Sequence, residues 1–181
     1  KNYVDALPPG NWQYALGVDP GVTDSTGFVV LAYAYTNPEA YVVESFKRTG
    51  LAPSEVIAYC KELDRQYRFS TKVVDAGGQG KAHQREGEIQ GFFLQPATKT
   101  NKLGNMARTA GALQQGSLKI LKGRNDELVE EMQILCWDSR ATLERRPDPN
   151  LEDHLCDALQ YVYNRAVQFE AHTPPPEVQR P

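Results

Sequence analysis

Two short apolar runs of this sequence each end in a single aspartate that is followed by turn-forming residues. Tyr14–Val18 leads to Asp19 before a Pro-Gly pair, and Lys72–Val74 leads to Asp75 before Ala-Gly-Gly. Short β-rich runs that stop at Gly or Pro are typical of buried strands. Ligands of α/β proteins bind at the carboxyl ends of strands, so both carboxylates are candidates for one site. The alternative for each is a simple turn former.

Two more acids lie near the end of the chain, where Asp153 and Asp157 share one face of a predicted helix because they are four residues apart. Asp153 could instead cap that helix, and Asp157 could lie on a solvated face. His154 beside them is either a ligand, a donor to a ligand, or a partly buried structural histidine.

Carboxylates that converge on one point suit Mg²⁺ or Mn²⁺, which prefer oxygen ligands. A buried carboxylate is costly unless positive charge meets it, and a metal ion is the simplest source of that charge. Two such ions ~3.5–4 Å apart can activate a water and stabilise the leaving oxygen of a phosphodiester.

The elements that must position these acids predict an α/β fold. Strands near 14–19, 26–35 and 40–46 with short turns predict an antiparallel meander. The later segments are a helix at 53–67, a strand at 72–75, a helix at 79–90, a strand at 92–94, a helix at 101–115, a strand at 118–121, a helix capped by Asn125, and a last helix at 151–169 capped by Asn150. We therefore predict a mixed sheet, an antiparallel three-strand meander plus parallel strands, flanked by helices. The inward face predicted for helix 101–115 is Leu103, Met106, Ala107, Ala110 and Leu113.

A length of 181 residues suits one domain with a core. We expect residues 1–11, with Pro8-Pro9-Gly10, to be a linker, 12–170 the domain, and 171–181 a Pro-rich tail that is disordered or a tether. A first residue other than Met suggests a piece of a longer protein. No run reaches the ~18 apolar residues of a membrane span, and none resembles a signal peptide.

The cysteines and the glycine-rich segment exclude two other kinds of site. Cys60, Cys136 and Cys156 form no Cys-x-x-Cys pair, so we expect reduced core residues rather than a disulfide or a zinc site. The segment 77–81 resembles a phosphate-binding loop but lacks its first glycine and its Ser/Thr, which excludes an ATP site of that type.

The net charge of −3 weakly opposes a nucleic-acid partner, but the charge is uneven. Residues 97–124 contain six basic residues and no acid, whereas 125–157 contain ten acids and three basic residues. Such asymmetry can place a basic face beside an acidic pocket, although an ordinary mixed surface is the alternative.

Three segments resemble the acid motifs of RNase H-like nucleases: Gly-Val-Asp-Pro-Gly at 17–21, Val-Asp-Ala-Gly-Gly at 74–78, and Asp-His-Leu-Cys-Asp-Ala-Leu at 153–159. Within that superfamily the chain most resembles the C-terminal nuclease domain of the large terminase subunit of tailed bacteriophages, over about residues 12–169.

The resemblance implies that Asp19, Asp75 and Asp157 are catalytic acids and metal ligands. Asp153 is a further predicted ligand, although the family varies there, and Asp24 could supply the additional acid that some members carry.

By the same resemblance, the function would be metal-dependent cutting of concatemeric viral DNA during genome packaging, by two-metal-ion hydrolysis with little sequence preference. The implied cofactors are Mg²⁺ or Mn²⁺, with two ions when DNA is bound. The implied partners are double-stranded DNA, an N-terminal packaging ATPase domain, the small terminase subunit and the portal, in the host cell cytoplasm. The isolated domain is expected to be a monomer that does not bind a membrane. The predicted DNA-contacting residues are Lys81, Lys99, Lys102, Arg108, Arg140, Arg145 and Arg146.

Two alternatives remain at this point. A Holliday-junction resolvase carries a similar Asp-Pro-Gly motif, but it would have to be a dimer that prefers branched DNA. A catalytically silent RNase H-like docking domain would share the fold without binding metal. An actin-like ATPase is excluded because this chain lacks the required second lobe and phosphate loop.

Overall fold

The structure, a computed structural model, describes residues 2–21, 25–77, 80–135, 148 and 150–167. Its elements are β1 (Tyr3–Val4), β2 (Gln13–Asp19), β3 (Ser25–Ala34), β4 (Asn37–Thr49), α1 (Pro53–Tyr67), β5 (Thr71–Val74), α2 (Gly80–Ile89), β6 (Gln95–Pro96), α3 (Lys102–Gln115), β7 (Leu118–Leu121), α4 (Asp126–Ile134) and α5 (His154–Ala166). Among these helices, none combines the length and apolar character that crossing a bilayer requires.

The strands form one seven-stranded mixed sheet in the order β1-β7-β4-β3-β2-β5-β6. β2, β3 and β4 are the antiparallel meander predicted from the sequence, and β5 joins β2 in parallel with Val18 opposite Val74. The predicted mixed α/β fold is therefore confirmed. Because Asp19 and Asp75 each directly follow this residue pair, both acids lie at the same edge of the sheet.

Apolar cores cover both faces of the sheet because successive strand side chains point to opposite sides. Val29 and Leu31 of β3 pack in the cluster that contains Leu155 and Leu159 of α5. Phe28 and Val30 pack on the other face, in the cluster formed with Val56, Ile57 and Cys60 of α1. The central strand is thus buried on both sides, which explains its nearly continuous apolar sequence.

The strand predicted at 92–94 is wrong. Phe92 and Leu94 are buried, but the Phe92 N–H donates to Gly87 O at 2.7 Å, so the chain folds back on the end of α2. On the side away from β2, the strand that pairs with β5 is β6, at Gln95–Pro96. The apolar run correctly indicated burial of Phe92 and Leu94, but Phe93 is 68% exposed and the run does not belong to the sheet.

The inward face predicted for α3 is largely wrong. Leu103 is 44% exposed, Ala107 and Ala110 are exposed, and the buried positions are Thr109 and Ala112. Met106 and Leu113 are partly buried, as the apolar pattern indicated. Helix α3 is rotated about its axis relative to the predicted orientation, so that its polar residues face α5. Asn164 Nδ2 of α5 donates to Asn105 O at 3.2 Å and to Thr109 Oγ1 at 3.3 Å.

The last helix begins three residues later than predicted. Its N-cap residue is Asp153 rather than Asn150. The side chain of Asn150 instead donates to Asp148 Oδ1 at 2.7 Å in the preceding turn. Asn125 does occupy the N-cap of α4, as predicted, but its amide nitrogen donates to Val42 O and Leu121 O rather than capping the helix.

Part of the expected linker belongs to the sheet. Tyr3 and Val4 form β1, which pairs in parallel with β7, and Asn2 Nδ2 donates to Leu113 O at 2.6 Å and to Leu118 O at 3.0 Å. These long-range contacts, which the Pro-Gly composition does not indicate, tie the segment to the fold.

Two of the three cysteines lie in the described part of the chain. Cys60 is a free, buried cysteine, as predicted, and Cys156 is free and half-buried. Cys136 and the expected tail at 171–181 lie outside the described residues.

Candidate active site

Two strand ends bring Asp19 and Asp75 together. The Asp75 N–H donates to Val18 O at 3.0 Å, so the parallel pairing of β2 with β5 continues up to the acids. Asp19 is only 7% exposed, and Asp75 lies at the more open side of the site. The predicted placement of both acids at one edge of the sheet is what the structure shows.

Helix α5 lies unusually close to the sheet because two glycines face it. A Cβ on Gly27, the residue opposite Asp19, would lie 2.7 Å from His154 O. A Cβ on Gly17 would lie 2.9 Å from Val162 Cβ of α5. Real Cβ atoms do not approach this closely, so these glycines allow the helix to bring its own acids to the strand ends.

Burial raises the pKa of Asp19 to about 6, since a charged carboxylate loses its hydration there. A hydrogen bond between His154 Nδ1 and Asp19 Oδ2 at 2.8 Å acts in the opposite direction. The negative charges of Asp157 and Asp75 raise the pKa further. The three carboxylates from β2, β5 and α5 are therefore close enough to repel one another.

Asp157 does not lie on a solvated face, which was one of the two interpretations of its position. Its side chain is only 14% exposed, and Oδ2 accepts hydrogen bonds from Lys102 Nζ at 3.0 Å and from the Tyr161 hydroxyl at 3.1 Å. Burial, followed by the charges of Asp157, Asp75 and Asp19, raises the pKa of Tyr161, which stays a protonated donor. Sequence reasoning missed Tyr161, although it stands four residues after Asp157 on the same helical face.

Asp153 is at the N-cap position of α5, but its side chain makes no capping hydrogen bond. Burial and then the charge of Asp157 raise the pKa of Asp153, whereas Lys102 lowers it. Asp153 thus belongs to the same electrostatic group as the other acids.

Lys99 and Lys102, predicted to contact DNA, contact the acids in this structure. Lys99 Nζ lies 2.7 Å from Asp75 Oδ2, while the Gly77 N–H donates to Asp75 Oδ1 at 2.7 Å. The second contact shows that Asp75 forms the turn that follows β5, which was one of the two interpretations of this residue. Burial lowers the pKa of Lys102, but the carboxylates of Asp157, Asp153 and Asp19 together raise it, and the net shift is upward.

The possible ligand atoms at this edge are carboxylate oxygens, which carry negative charge and are partly buried. Such oxygens suit a hard cation. In the part of the chain that the structure describes, no three His, Cys, Asp or Glu side chains form a ready metal-binding group. The positive charge beside Asp75 and Asp157 comes instead from the two lysines. The types of residue therefore suit a divalent ion. In this structure, however, the ammonium groups of the two lysines pair with two of the acids.

Arg108 secures the far end of α5. Its guanidinium donates to Asn164 O and Asn164 Oδ1 at 3.2 Å each and to Val167 O, and it stacks 5.3 Å from the centre of the Tyr163 ring. Lys81, also predicted to contact DNA, is exposed at the start of α2. Arg140, Arg145, Arg146 and Asp24 lie outside the described residues.

A polar cleft of about 260 Å³ lies between α3 and α5 and reaches the acids through Tyr161. Its lining residues are Thr98, Asn105, Arg108, Gln160, Tyr161, Asn164 and Arg165. Among these described lining residues there are two arginines and no carboxylate, so a basic cleft adjoins the acidic site. Sequence reasoning missed Arg165 because an arginine in the last turn of a helix carries no local sign that it faces a cleft.

Glu131 of α4 supports the start of α5 and was also missed. Its side chain is buried, and Oε1 accepts the Cys156 N–H at 2.7 Å, while Oε2 lies 3.5 Å from Lys47 Nζ. Burial raises the pKa of Glu131. This acid satisfies a backbone donor in the first turn of the helix that carries His154 and Asp157.

No protein-family profile matches the chain. No curated protein sequence matches it either. Several solved structures share its fold. A large terminase from a thermophilic bacteriophage superposes with a TM-score of 0.79 at 20% identity, over 93% of this chain and 43% of that one. This chain thus spans less than half the length of that terminase.

Isolated nuclease domains cover the fold more evenly. The large terminase nuclease of thermophilic phage G20c with bound magnesium gives a TM-score of 0.69 at 20% identity, over 92% of this chain and 86% of that one. The P22 large terminase nuclease domain gives 0.70 at 14% identity, over 90% and 87% of the two chains. The resemblance seen in the sequence is confirmed at the level of the fold: this chain has the RNase H-like fold of phage large-terminase nuclease domains.

Proposed function

We propose that this chain is a metal-dependent endodeoxyribonuclease that cuts concatemeric viral DNA during genome packaging. The observation that carries the proposal is the convergence of Asp19, Asp75 and Asp157 at one edge of a sheet with the terminase-nuclease fold. Solved G20c nuclease structures contain bound magnesium and bound zinc, which supports the use of a divalent ion by this chain.

Asp19, Asp75 and Asp157 would hold the ions, and Asp153 would assist. When bound, two Mg²⁺ or Mn²⁺ ions would supply an activated water and charge stabilisation for the leaving oxygen. The chain itself orients the acids. His154 fixes one oxygen of Asp19, the Gly77 N–H fixes one oxygen of Asp75, and Tyr161 fixes one oxygen of Asp157. Such partners hold ligands in the orientation that metal binding needs.

The DNA backbone would lie across Lys99 and Lys102 and along the basic cleft that contains Arg108 and Arg165. Contacts of this kind read phosphates rather than bases, so little sequence preference is expected. Lys81, and Arg140, Arg145 and Arg146 outside the described residues, remain predicted DNA contacts. A packaging ATPase domain, a small subunit and a portal as partners, the host cytoplasm as location, and a monomeric isolated domain are parts of the same proposal.

The test is cleavage of supercoiled plasmid by the purified chain with Mn²⁺, with Mg²⁺ and with EDTA. We expect cutting that requires metal and falls by orders of magnitude in Asp75→Asn, which keeps the side-chain shape. Asp5→Asn is the matched control, because the Asp5 side chain is 87% exposed and pairs with Lys122, just after β7. The control should cut like the unaltered chain.

Normal cutting by Asp75→Asn would show that the site assignment is wrong. An intact fold with no cutting in any metal would favour the silent docking domain. A strong preference for four-way junctions over plasmid would favour the resolvase.

A further inference from the structure

The segment after β6 and the first residue of α3 deliver two lysines to two different acids of the site. Lys99 Nζ lies 2.7 Å from Asp75 Oδ2, and Lys102 Nζ lies 3.0 Å from Asp157 Oδ2. Asp75 and Asp157 are proposed metal ligands whose side chains are only 17% and 14% exposed. Each lysine thus occupies a carboxylate oxygen that an ion would need.

The backbone of this segment is fixed by its own polar contacts. Asn101 has a left-handed backbone (φ 60°), and its side chain accepts the Gly104 N–H at 3.2 Å. Asn105 Nδ2 donates to Thr98 O and Thr100 O, both at 3.3 Å. The positions from which the two lysines extend are therefore set by the start of α3.

Gly77, two residues after Asp75, leaves space for one of the lysines. A Cβ on Gly77 would collide with Lys99 Nζ and would lie 3.1 Å from Asp75 Oδ1. The absence of a side chain at Gly77 allows the ammonium group to reach Asp75.

The lysines can exchange with other cations because their ends are open to water, with the side chains of Lys99 and Lys102 50% and 44% exposed. The carboxylates that they pair with are largely buried, so a lysine leaves readily only when another cation takes its place. Lysine carries a mobile point charge that suits either a carboxylate or a phosphate.

We propose that Lys99 and Lys102 are exchangeable counter-cations, which compete with divalent ions for Asp75 and Asp157 and transfer to DNA phosphates when DNA binds. This inference rests on the proposed function. In the chain without DNA the two ammonium groups lower the affinity for metal, because they take carboxylate lone pairs and repel a cation nearby. When phosphates draw the lysines away, the carboxylates are released, so metal and DNA bind cooperatively.

The test is the affinity for Mn²⁺ measured by isothermal titration calorimetry. Lys99→Met/Lys102→Met should bind Mn²⁺ roughly tenfold more tightly than the unaltered chain in the absence of DNA. Lys119→Met/Lys122→Met is the matched control, since it removes two lysines in and just after β7 that pair with Glu39 and Asp5. Its Mn²⁺ affinity should stay within about twofold of the original.

A second titration adds a short duplex with phosphorothioate linkages, which resist hydrolysis. The duplex should strengthen Mn²⁺ binding to the unaltered chain and to the control, but much less in Lys99→Met/Lys102→Met. Thermal unfolding in EDTA verifies the fold, and the single variants Lys99→Gln and Lys102→Gln should each show part of the gain in Mn²⁺ affinity.

The outcomes separate this inference from the proposed function. If Asp75→Asn abolishes Mn²⁺ binding while the lysine variants bind Mn²⁺ no more tightly than the original chain, the counter-cation inference fails and the metal site stands. If Asp75→Asn binds Mn²⁺ as well as the original chain, the metal site itself is wrong.

Discussion

At the scale of single residues, Asp19 lies in an environment that opposes its own charge. It is deeply buried, and two further carboxylates face it, so its pKa rises to about 6. The hydrogen bond with His154 offsets only part of this cost. A carboxylate held in this state gains from any cation that approaches, which is the property expected of a metal ligand.

We expect Asp19→Asn to stabilise the metal-free chain above pH 6. Because the pKa of Asp19 is higher in the folded chain than in the unfolded chain, ionisation of Asp19 lowers the stability of the fold as pH rises from about 4 to about 6. Asparagine removes that loss, by at most about 3 kcal/mol since each pH unit is worth about 1.36 kcal/mol. Urea unfolding in EDTA should show the variant more stable at pH 7.5 and equal to the original near pH 4. A variant that is less stable at pH 7.5 would contradict this account.

At the scale of elements, α5 organises the site, because His154, Asp157 and Tyr161 lie on one of its faces. Its height above the sheet is set by Gly17 and Gly27, and its first turn is held from α4 by Glu131. The helix therefore depends on β2, β3 and α4 for the position of the face that carries these residues.

Glu131→Ala should destabilise the chain by about 1–3 kcal/mol, because the Cys156 N–H would be left buried without an acceptor. Glu131→Gln keeps an oxygen acceptor and should cost less. Glu130→Ala, an exposed change on the same helix, is the control and should be nearly neutral. Equal losses in the Ala and Gln variants at position 131, measured by urea unfolding, would show that the hydrogen bond to Cys156 is not what matters.

At the scale of the whole molecule, the sheet extends to the first residues of the chain. β1 covers the edge of β7, Asn2 bridges to the end of α3, and Asp5 pairs with Lys122 at 2.7 Å. An edge strand that is covered in this way is protected from pairing with other chains.

Removal of residues 1–5 should therefore lower the stability by about 2 kcal/mol, since several hydrogen bonds are lost and β7 becomes an exposed edge. The shortened chain should also aggregate more readily on heating. Its Mn²⁺ affinity should be unchanged, because the acids come from β2, β5 and α5. Equal unfolding midpoints for the two chains would show that β1 adds nothing to the fold.

The sequence by itself determined the meander, the mixed sheet and the placement of Asp19 and Asp75 at strand ends. These features follow from local patterns, namely apolar runs of strand length that stop at Pro or Gly. The spacing of Asp153 and Asp157 likewise placed both near the start of one helix.

Only the tertiary structure decided which groups meet those acids. Lys102 and Asp157 are 55 residues apart, and Glu131 and Cys156 are 25 apart, so no local pattern links them. The same reason explains the error on the face of α3, where Asn164 contacts Asn105 and Thr109. At residues 92–94 and at the start of α5, short-range hydrogen bonds outweigh the apolar pattern instead, from Phe92 to Gly87 and from Asn150 to Asp148. Apolar periodicity reports burial, whereas hydrogen bonds and ion pairs between elements decide register, rotation and the partners of each charge.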